Sequence, residues 1–498
     1  MKRLLPCTMH GWMDHLEDLG PGVVGIRRHG RMVTDAAVVA HDVDALLRGD
    51  RRAPEQLVNA ACMPGAVGRV WAMADHHFGY GLPIGGVLAT DHDAGEQGGA
   101  ISPGAVGFDI NCGVRMLAFD LMAEDLPDPQ RLARRLGGRL PAGTSGGGGV
   151  EVPPQALQEV LNEGAQAAAD LGLGFVDDVG HLESRGRLDG DPSLVSERAI
   201  ARGATSLGTL GSGNHFAELQ RVEHVLDEDA ARSWGLHEGQ LVAMIHSGSR
   251  GLGHQVCTDH VRYLERQYVE QDGGWWNEAH GWWIPDRQLA ATPRHHPDGE
   301  AYVGAMGAAA NFAFANRAVL AQRLLDGLNA HLGSSVEATT VYDVAHNIAK
   351  DEEHLVDGRR CTCCVHRKGA TRAFPHSHPE LAARYQVTGQ PVLVPGDMGN
   401  GSWLLAGPRT GMSEAFGSSC HGAGRTLSRH AARELVDVPA LKARLASSGI
   451  HLKHGSDRSL GEEAPEAYKP VDDVVQATVS AGLATPVARL APKIVLKG

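Results

Sequence analysis

The sequence has few cysteines and no long apolar run. Eight Cys are scattered through 498 residues, which is too sparse for a disulfide scaffold. No stretch of about 18 apolar residues occurs, so no membrane-spanning helix is expected. The first residues, MKRLLPCTMHGWMDH, lack the apolar centre of a signal peptide. These absences predict a protein of the reducing cytoplasm with no membrane partner.

Basic residues are also in deficit. Lys and Arg number 46 against 59 Asp and Glu, and the formal net charge is −13. Nonspecific nucleic-acid binding depends on neutralising phosphates with Lys and Arg, so the chain is not an obvious nucleic-acid coat protein. Net charge does not decide the properties of a single site, and a local basic channel stays open.

Two nucleotide-binding signatures are missing as well. The stretch TSGGGGV at residues 144–150 lacks the Lys of a P-loop and is typical of a mobile loop. No KxDG sequence occurs, so the lysine–adenylylate route of classical ligases has no support. Any nucleotide chemistry must therefore use other residues.

Short apolar runs that end in polar or glycine-rich turns recur along the chain. Strands are predicted at residues 70–74, 241–245, 341–344 and 392–394. Helices are predicted at residues 154–171 and 311–332, and from just after His421 to about residue 436. Strands mixed with helices indicate an α/β or α+β enzyme. We expect one large domain over residues 1–498, with two lobes as the alternative, and a surface excursion at residues 271–297.

A candidate metal site begins in GFDINCGVRM at residues 107–116. Asp109 and Cys112 are three residues apart and are flanked by glycines, so a tight turn can direct a carboxylate and a thiolate to one point. A thiolate can also bridge two metal ions. For this pair alone, a buried structural Cys is the commoner case.

Three histidines add weight to the metal interpretation. His215 lies in GTLGSGNHFAE, His246 opens HSGSRGLGH after an apolar run, and His346 follows VYDVA. Neutral imidazole is the commonest metal ligand, although each of these residues alone could equally be structural. With Asp109 and Cys112 they predict a site suited to zinc, with cobalt, nickel, copper or manganese left open.

His421 is a candidate nucleophile. It opens HGAG before a run of helical character, which predicts a helix N-terminus. The free backbone N–H groups of Gly422, Ala423 and Gly424 would then bind phosphate. A neutral imidazole beside a bound phosphate can attack phosphorus. A plain anion-binding turn is the alternative.

Cationic residues near these motifs are candidate phosphate contacts. Arg425 and Arg429 are expected on one face of the helix after His421. HRKGATR at residues 366–372 is interpreted as a basic turn, and Arg250 as a cation near the metals. CTCCVH at residues 361–366 matches no common zinc pattern, so free thiols are favoured there.

Taken together, these motifs resemble the RtcB family of RNA ligases. The similarity runs from DHHFGYGLPIGG at Asp75 to the C-terminal KIVLKG. GFDINCGVR, GNHFAE, HSGSRG, AHNIA, HRKGATRAFP and CHGAGR lie between them in the family's order. The resemblance implies a distinctive α/β fold with a central cleft that contains metal.

The resemblance also implies how the metal ligands divide. Two Mn²⁺ ions would be bridged by Cys112. Asp109 and His215 would complete one site, and His246 and His346 would complete the other.

A GTP-dependent reaction is implied by the same resemblance. His421 would attack the α-phosphorus of GTP, forming a histidine–GMP phosphoramidate and releasing pyrophosphate. The family hydrolyses a 2′,3′-cyclic phosphate on RNA to a 3′-phosphate and transfers GMP to it. The 5′-hydroxyl of a second RNA then displaces the GMP. This joins tRNA halves or repairs broken RNA, and an archease-type activator is an expected partner.

Further positions acquire roles through the resemblance. The matched residues are Asn214, Glu218 and Lys497 for the nucleotide, Asp75 for catalysis, and Arg250 for RNA or phosphate. Asp397 stands where some members have Ser, so a contact to guanine is expected from Asp397 or Ser402. Two other functions stay open: a metal-dependent phosphoesterase that does not use His421, and a noncatalytic RNA-binding protein.

Overall fold

The computed structural model describes residues 11–143 and 147–498, where the chain forms 22 strands and 15 α-helices. The predictions about the first ten residues and about residues 144–146 of the glycine-rich loop lie outside this range.

The strands are β1 Leu16–Asp18, β2 Val23–Ile26, β3 Asp35–Val39, β4 Arg69–His77, β5 Ile84–Asp91, β6 Ala100–Ile101, β7 Gly113–Met122, β8 Phe216–Val225, β9 Gln240–Ser247, β10 Val269–Gln271, β11 Gly274–Asn277, β12 Trp282–Ile284, β13 Thr292–Pro293, β14 Ala338–Ala345, β15 Asn347–Val356, β16 Arg359–Lys368, β17 Ala370–Arg372, β18 Pro391–Val394, β19 Ser402–Ala406, β20 Ser418–Cys420, β21 His451–His454 and β22 Thr485–Lys497. The helices are α1 Val43–Arg48, α2 Arg52–Ala60, α3 Pro103–Val106, α4 Pro129–Arg139, α5 Pro154–Glu163, α6 Ala165–Asp170, α7 Glu197–Gly203, α8 Glu228–Ser233, α9 Arg250–Glu265, α10 Pro297–Leu332, α11 Ala383–Gln386, α12 Arg429–Leu435, α13 Val438–Ser447, α14 Asp457–Glu462 and α15 Val471–Ser480.

Two mixed sheets form the framework. The seven-stranded sheet has the order β1-β2-β3-β4-β5-β16-β15, with β3 and β4 parallel. The eight-stranded sheet has the order β14-β7-β9-β8-β22-β19-β18, and β21 pairs with β22 in parallel. The predicted α/β class is therefore confirmed.

The centre of the eight-stranded sheet gathers polar strand ends at one edge. β9 lies between β7 and β8 and is antiparallel to both, and all eight of its residues are buried. The start of β7, the start of β8 and the end of β9 therefore meet at the same edge. β14 is antiparallel to β7 and ends there as well. This edge carries Cys112, His215, His246 and His346.

Helix α10 is 36 residues long and is buried along most of its length. A helix that is apolar on all sides has to be covered on all sides. It begins with Pro297 in the first turn and ends at Gly333, whose φ of 75° gives the left-handed C-cap. No helix within the described ranges, α10 included, is apolar enough over a sufficient length to cross a membrane.

Arg317 is a fully buried cation that connects α10 to the polar edge. It forms a 2.8 Å ion pair with Asp343 and donates to the carbonyl oxygens of Asn111 at 2.8 Å and Ser247 at 3.0 Å. Asn111 has a left-handed φ of 51° in the turn before β7. A buried guanidinium is costly unless a carboxylate pairs with it and its N–H groups are hydrogen-bonded. These bonds connect the turn before β7 to the end of β9 through Arg317.

Most elements predicted from the pattern of apolar residues are confirmed. The four predicted strands lie in β4, β9, β14 and β18. The helix predicted at residues 154–171 is two helices, α5 and α6, which are separated at Gly164 with a φ of 61°. The helix predicted at residues 311–332 is the second part of the longer α10.

The helix predicted from just after His421 to about residue 436 ends as expected, but its predicted start is wrong. His421 follows β20, and the next helix begins at Arg429 with Ser428 as its N-cap. Gly424 has a φ of 72°, and a Cβ there would lie 2.1 Å from the carbonyl oxygen of Asp75. The chain passes too close to β4 to form a helix at this point.

The basic turn predicted at residues 366–372 is also wrong. This stretch belongs to β16 and β17, and most of its cations are neutralised. Arg367 pairs with buried Glu352 at 2.6 Å, and Arg372 pairs with Glu380 at 2.7 Å.

The cysteine-rich segment at residues 361–366 and the tryptophan-rich segment at residues 271–297 both contain strands. The thiols of Cys361, Cys363 and Cys364 are buried and free on β16, as predicted. The expected surface excursion contains an antiparallel three-stranded sheet, β10-β11-β12. Three of its tryptophans, Trp275, Trp282 and Trp283, pack on the core around Trp12 and Ile284.

Candidate metal and nucleotide site

The five predicted metal ligands converge at the polar sheet edge. Cys112 Sγ lies 3.3 Å from His215 Nε2 and 3.2 Å from His246 Nε2. His215 Nε2 is 2.9 Å from Asp109 Oδ2, and His246 Nε2 is 3.3 Å from His346 Nε2. Cys112 is therefore the donor that adjoins both pairs. Cys112, His215 and His246 by themselves satisfy the spacing of a metal site.

The protonation chemistry of these donors fits bound cations. Burial and neighbouring histidines lower the pKa of His246 and of His346 well below the ordinary range, so both imidazoles are neutral, as ligands must be. Burial and the Asp109 carboxylate raise the pKa of the Cys112 thiol well above its ordinary value. A cation at the sulfur is what would stabilise the thiolate.

Arg250 contacts His215, one of the five predicted metal ligands. Its Nη1 lies 3.3 Å from His215 Nδ1, and its other nitrogens donate to Thr209 Oγ1 and to the Ala142 carbonyl, each at 3.2 Å. Gly211 makes room for this contact: a Cβ there would lie 2.1 Å from His215 Nδ1 and 2.3 Å from Arg250 Nη1. No other residue type fits without displacing both side chains.

The ring of His421 is oriented by a buried carboxylate. Asp75 Oδ2 lies 2.6 Å from His421 Nδ1 and accepts from the backbone N–H groups of His421 at 2.8 Å and Gly422 at 3.2 Å. Burial alone would raise the pKa of Asp75, but His421 and nearby Lys469 hold it below its ordinary value. An ionised Asp75 places the imidazole proton on Nδ1 and leaves the lone pair on Nε2. The ring contacts that of His346, with centroids 4.7 Å apart and planes inclined at 56°.

A cavity of about 420 Å³ opens beside the metal donors and His421. The predicted nucleotide and phosphate residues that line it are Asn214, Glu218, Asp397, Gly422, Ala423, Gly424, Arg425, Arg429 and Lys497. Ser402 is buried next to this group, and its hydroxyl accepts from Gln220 Nε2 at 3.0 Å. The same amide donates to Glu218 Oε2 at 2.7 Å.

Glu463 is a buried carboxylate that the sequence did not single out. It lies 3.1 Å from Arg425 Nη1, 3.3 Å from Arg429 Nε and 3.9 Å from Lys497 Nζ, and it accepts from the Tyr468 hydroxyl. Arg425 and Arg429 therefore share a carboxylate rather than a helical face. A Glu in the stretch GEEAPEAY has no local pattern that marks it, because its partners are distant in sequence.

Asp397 faces the cavity but is engaged in its own turn. Its Oδ1 accepts from the backbone N–H groups of Gly399 at 2.9 Å and Asn400 at 3.1 Å, and its Oδ2 accepts from Asn400 Nδ2 at 2.8 Å. This is the Asx-turn pattern, so a structural reason for Asp at this position exists apart from any contact to guanine.

The pKa of the Glu218 carboxyl, which lines the cavity together with Lys497, is raised above its ordinary value. Burial raises the pKa to about 7, and Asp397 adds to the rise, whereas Gln220 and Lys497 oppose it. An unfolded Glu ionises near pH 4.5, so the folded state loses stability as the pH rises from there through 7.

Glu218→Gln is therefore expected to raise the free energy of unfolding by about 2 kcal/mol at pH 8 and to leave it unchanged near pH 4.5. Urea unfolding of the metal-free protein at the two pH values measures this. Glu223→Gln, on the same strand and 35% exposed, is the control and should have no effect at either pH. An equal effect of Glu218→Gln at both pH values would contradict the assignment.

Known proteins are similar to this chain over most of its length, a range that includes every residue of the site. A model of the family described as tRNA-splicing ligase RtcB matches residues 56–498. The tRNA-splicing ligase RtcB of Thermococcus kodakarensis is 46% identical over 452 residues, which cover 90% of this chain and 91% of that protein. The RNA-splicing ligase RtcB of Mycobacterium bovis is 47% identical over 447 residues, with 89% and 100% covered. With this extent of similarity, the chain belongs to the RtcB family.

Proposed function

We propose that this chain is an RNA ligase that uses GTP and two divalent metal ions to join RNA ends. The observation that carries the proposal is the meeting, in one cavity, of His421 with its orienting Asp75 and a five-donor metal cluster. Family membership supports RNA as the substrate. The geometry supports phosphoryl transfer, which requires positioning and charge neutralisation more than covalent assistance.

The metal ions would be held in two sites that share Cys112. Asp109 and His215 complete one, and His246 and His346 complete the other. The family suggests Mn²⁺, whereas Cys and His donors by themselves also suit zinc. When bound, the ions would neutralise phosphate oxygens and orient the triphosphate for in-line attack.

His421 supplies the nucleophile in this proposal. The Nε2 lone pair attacks the α-phosphorus of GTP, and the bond from that phosphorus to the bridging oxygen of the β-phosphate breaks. The electron pair leaves with pyrophosphate, and GMP remains on Nε2. The imidazolium that forms keeps its proton on Nδ1, where the Asp75 carboxylate stabilises it.

The nucleotide would occupy the part of the cavity lined by Glu218 and Lys497. These two face guanine in the proposal, with Asp397 or Ser402 beside them. Asn214, the backbone of Gly424 and the guanidinium groups of Arg425 and Arg429 would contact ribose and phosphate. The backbone N–H groups of Gly422 and Ala423, predicted to be free for phosphate, instead donate to Asp75 Oδ2 at 3.2 Å and to the Pro395 carbonyl at 3.0 Å. The pairing of both arginines with Glu463 fixes their direction before the nucleotide binds.

The RNA substrate would carry a 2′,3′-cyclic phosphate or 3′-phosphate at one end and a 5′-hydroxyl at the other. Water opens the cyclic ester, GMP passes from His421 to the 3′-phosphate, and the 5′-hydroxyl oxygen attacks that phosphorus and releases GMP. Arg250 would assist at the RNA phosphate. Joining of tRNA halves and repair of broken RNA use the same ends, and an archease-type activator fits either.

The direct test is covalent labelling. Incubation with Mn²⁺ and GTP labelled at the α-phosphate is expected to attach one GMP per chain through a bond that is stable to alkali and labile to acid. Pyrophosphate should be released in equal amount. A protein that remains unlabelled, with metal bound, would refute the proposed reaction.

A further inference from the structure

The cavity has an aromatic wall that the GTP reaction does not use. It consists of Tyr80, Phe108 and His254. Tyr80 and Phe108 line the cavity, with ring centroids 5.2 Å apart and planes at 71°. The imidazole of His254 on α9 lies 5.2 Å from the Phe108 ring at 33°. Phe108 is only partly buried, so a portion of its surface faces the cavity.

The aromatic wall is separate from the end lined by Glu218 and Lys497. Lys497 lies over Phe216, 5.6 Å from its centroid, and Phe216 packs edge-on against His246 at 5.4 Å. Phe108, in contrast, directly precedes Asp109 in the chain. Phe216 therefore adjoins the proposed ligand His246, whereas Phe108 adjoins the proposed ligand Asp109.

The aromatic wall is held by hydrogen bonds and has the Lys368 ammonium beside it. The Tyr80 hydroxyl donates to Glu265 Oε1 at 2.5 Å, and the Lys368 ammonium lies 5.8 Å from the Tyr80 ring centre. Lys368 Nζ also donates to the Gly104 carbonyl at 3.0 Å, and Gly107 turns the chain into Phe108 with a φ of 103°. A held aromatic face beside a cation is the arrangement that unpaired nucleobases stack on.

We propose that Phe108 is a stacking surface for the terminal base of an RNA end, and that Tyr80 and His254 hold its ring in position. The inference rests on the proposed function, because it requires an RNA phosphate at the metal donors. A terminal phosphate held beside Asp109 leaves its own nucleoside next to the Phe108 ring. Both RNA ends offer the same chemistry, a base on the same nucleotide as the reacting oxygen.

The test compares RNA affinity with and without the terminal base. Full-length, metal-loaded protein is titrated with a short RNA ending in 3′-phosphate, and with one beginning in 5′-hydroxyl, each also made with an abasic terminal nucleotide. Phe108→Leu is expected to weaken binding of one intact RNA about tenfold, the effect of losing one stacked base. Wild-type protein should bind the abasic RNA more weakly than the intact RNA by the same factor. Phe108→Leu should not weaken binding of the abasic RNA any further.

Controls separate stacking from damage to the fold. Phe108→Trp should retain the affinity, and Tyr263→Leu, on α9 at a residue 51% exposed, should leave it unchanged. Labelling of the wild-type protein by GTP is measured separately, so failure of the stacking proposal is distinct from failure of the proposed ligase reaction. The end that shows base dependence is the one that stacks. Equal weakening of intact and abasic RNA by Phe108→Leu, or no weakening of either, would overturn the proposal.

Discussion

Replacing His421 with Ala is expected to abolish labelling by GTP and to reduce RNA joining at least about 10³-fold, because no other group takes over a covalent nucleophile. Asp75 is buried, ionised and directed at His421 Nδ1. In the proposed reaction, each turnover depends on the lone pair that this contact leaves on Nε2. The measurement is single-turnover ligation together with covalent labelling by α-labelled GTP.

The matched control is His430→Ala, nine residues further along and on an exposed face of α12, with 71% of its side chain accessible. It should label and ligate as wild type does. His421→Ala should still bind both metal ions, since His421 is not among the five donors. Ligation that survives His421→Ala would contradict the proposed nucleophile. Cleavage of cyclic phosphate with no GTP labelling in wild type would favour the phosphoesterase alternative.

Replacing Cys112 with Ala is expected to have the next largest effect, loss of both metal ions. Its sulfur adjoins donors of both proposed sites, at 3.3 Å from His215 Nε2 and 3.2 Å from His246 Nε2. Even residues that only support metal ligands change affinity by about 10–100-fold, so loss of a shared ligand should weaken Mn²⁺ binding by at least about 100-fold. GTP labelling should fall in parallel.

Calorimetric titration with Mn²⁺ and metal analysis after gel filtration measure the effect of Cys112→Ala. His215→Ala should remove one ion and retain the other, because it belongs to a single pair. Cys364→Ala is the control, since it removes a buried free thiol on β16 that is not a metal donor. Two ions retained by Cys112→Ala would show that the thiolate does not bridge.

The convergence of the five proposed metal ligands could be expected from sequence because each lies in a short motif with its own chemistry. Asp109 and Cys112 are three residues apart, and His215, His246 and His346 each stand where an apolar run begins or ends. Apolar runs show where buried strands lie, and polar residues at the ends of neighbouring strands meet at one edge of the sheet. The division into pairs followed only from the resemblance to the family.

The prediction failed where distant chain segments approach each other. The stretch after His421 has helical character, but Gly424 passes so close to the Asp75 backbone that the helix begins only at Arg429. Glu463 and Arg317 were not identified, because a buried charge is recognisable only through partners that the sheets and α10 bring to it. No role could be predicted for Phe108, since its neighbours come from α9 and from the loop after β4.

The sequence by itself determined the α/β class and the positions of four buried strands, and it predicted the five side chains that meet at the polar sheet edge with His421 beside them, because these depend on periodicity and on residue chemistry within a few positions. Only the tertiary structure decided that Cys112 adjoins both pairs of donors, that Asp75 orients His421, and that Arg425 and Arg429 share Glu463. These contacts join residues separated by up to 346 positions, between His421 and Asp75. Strand pairing creates them, and no local pattern specifies which strand edges will meet.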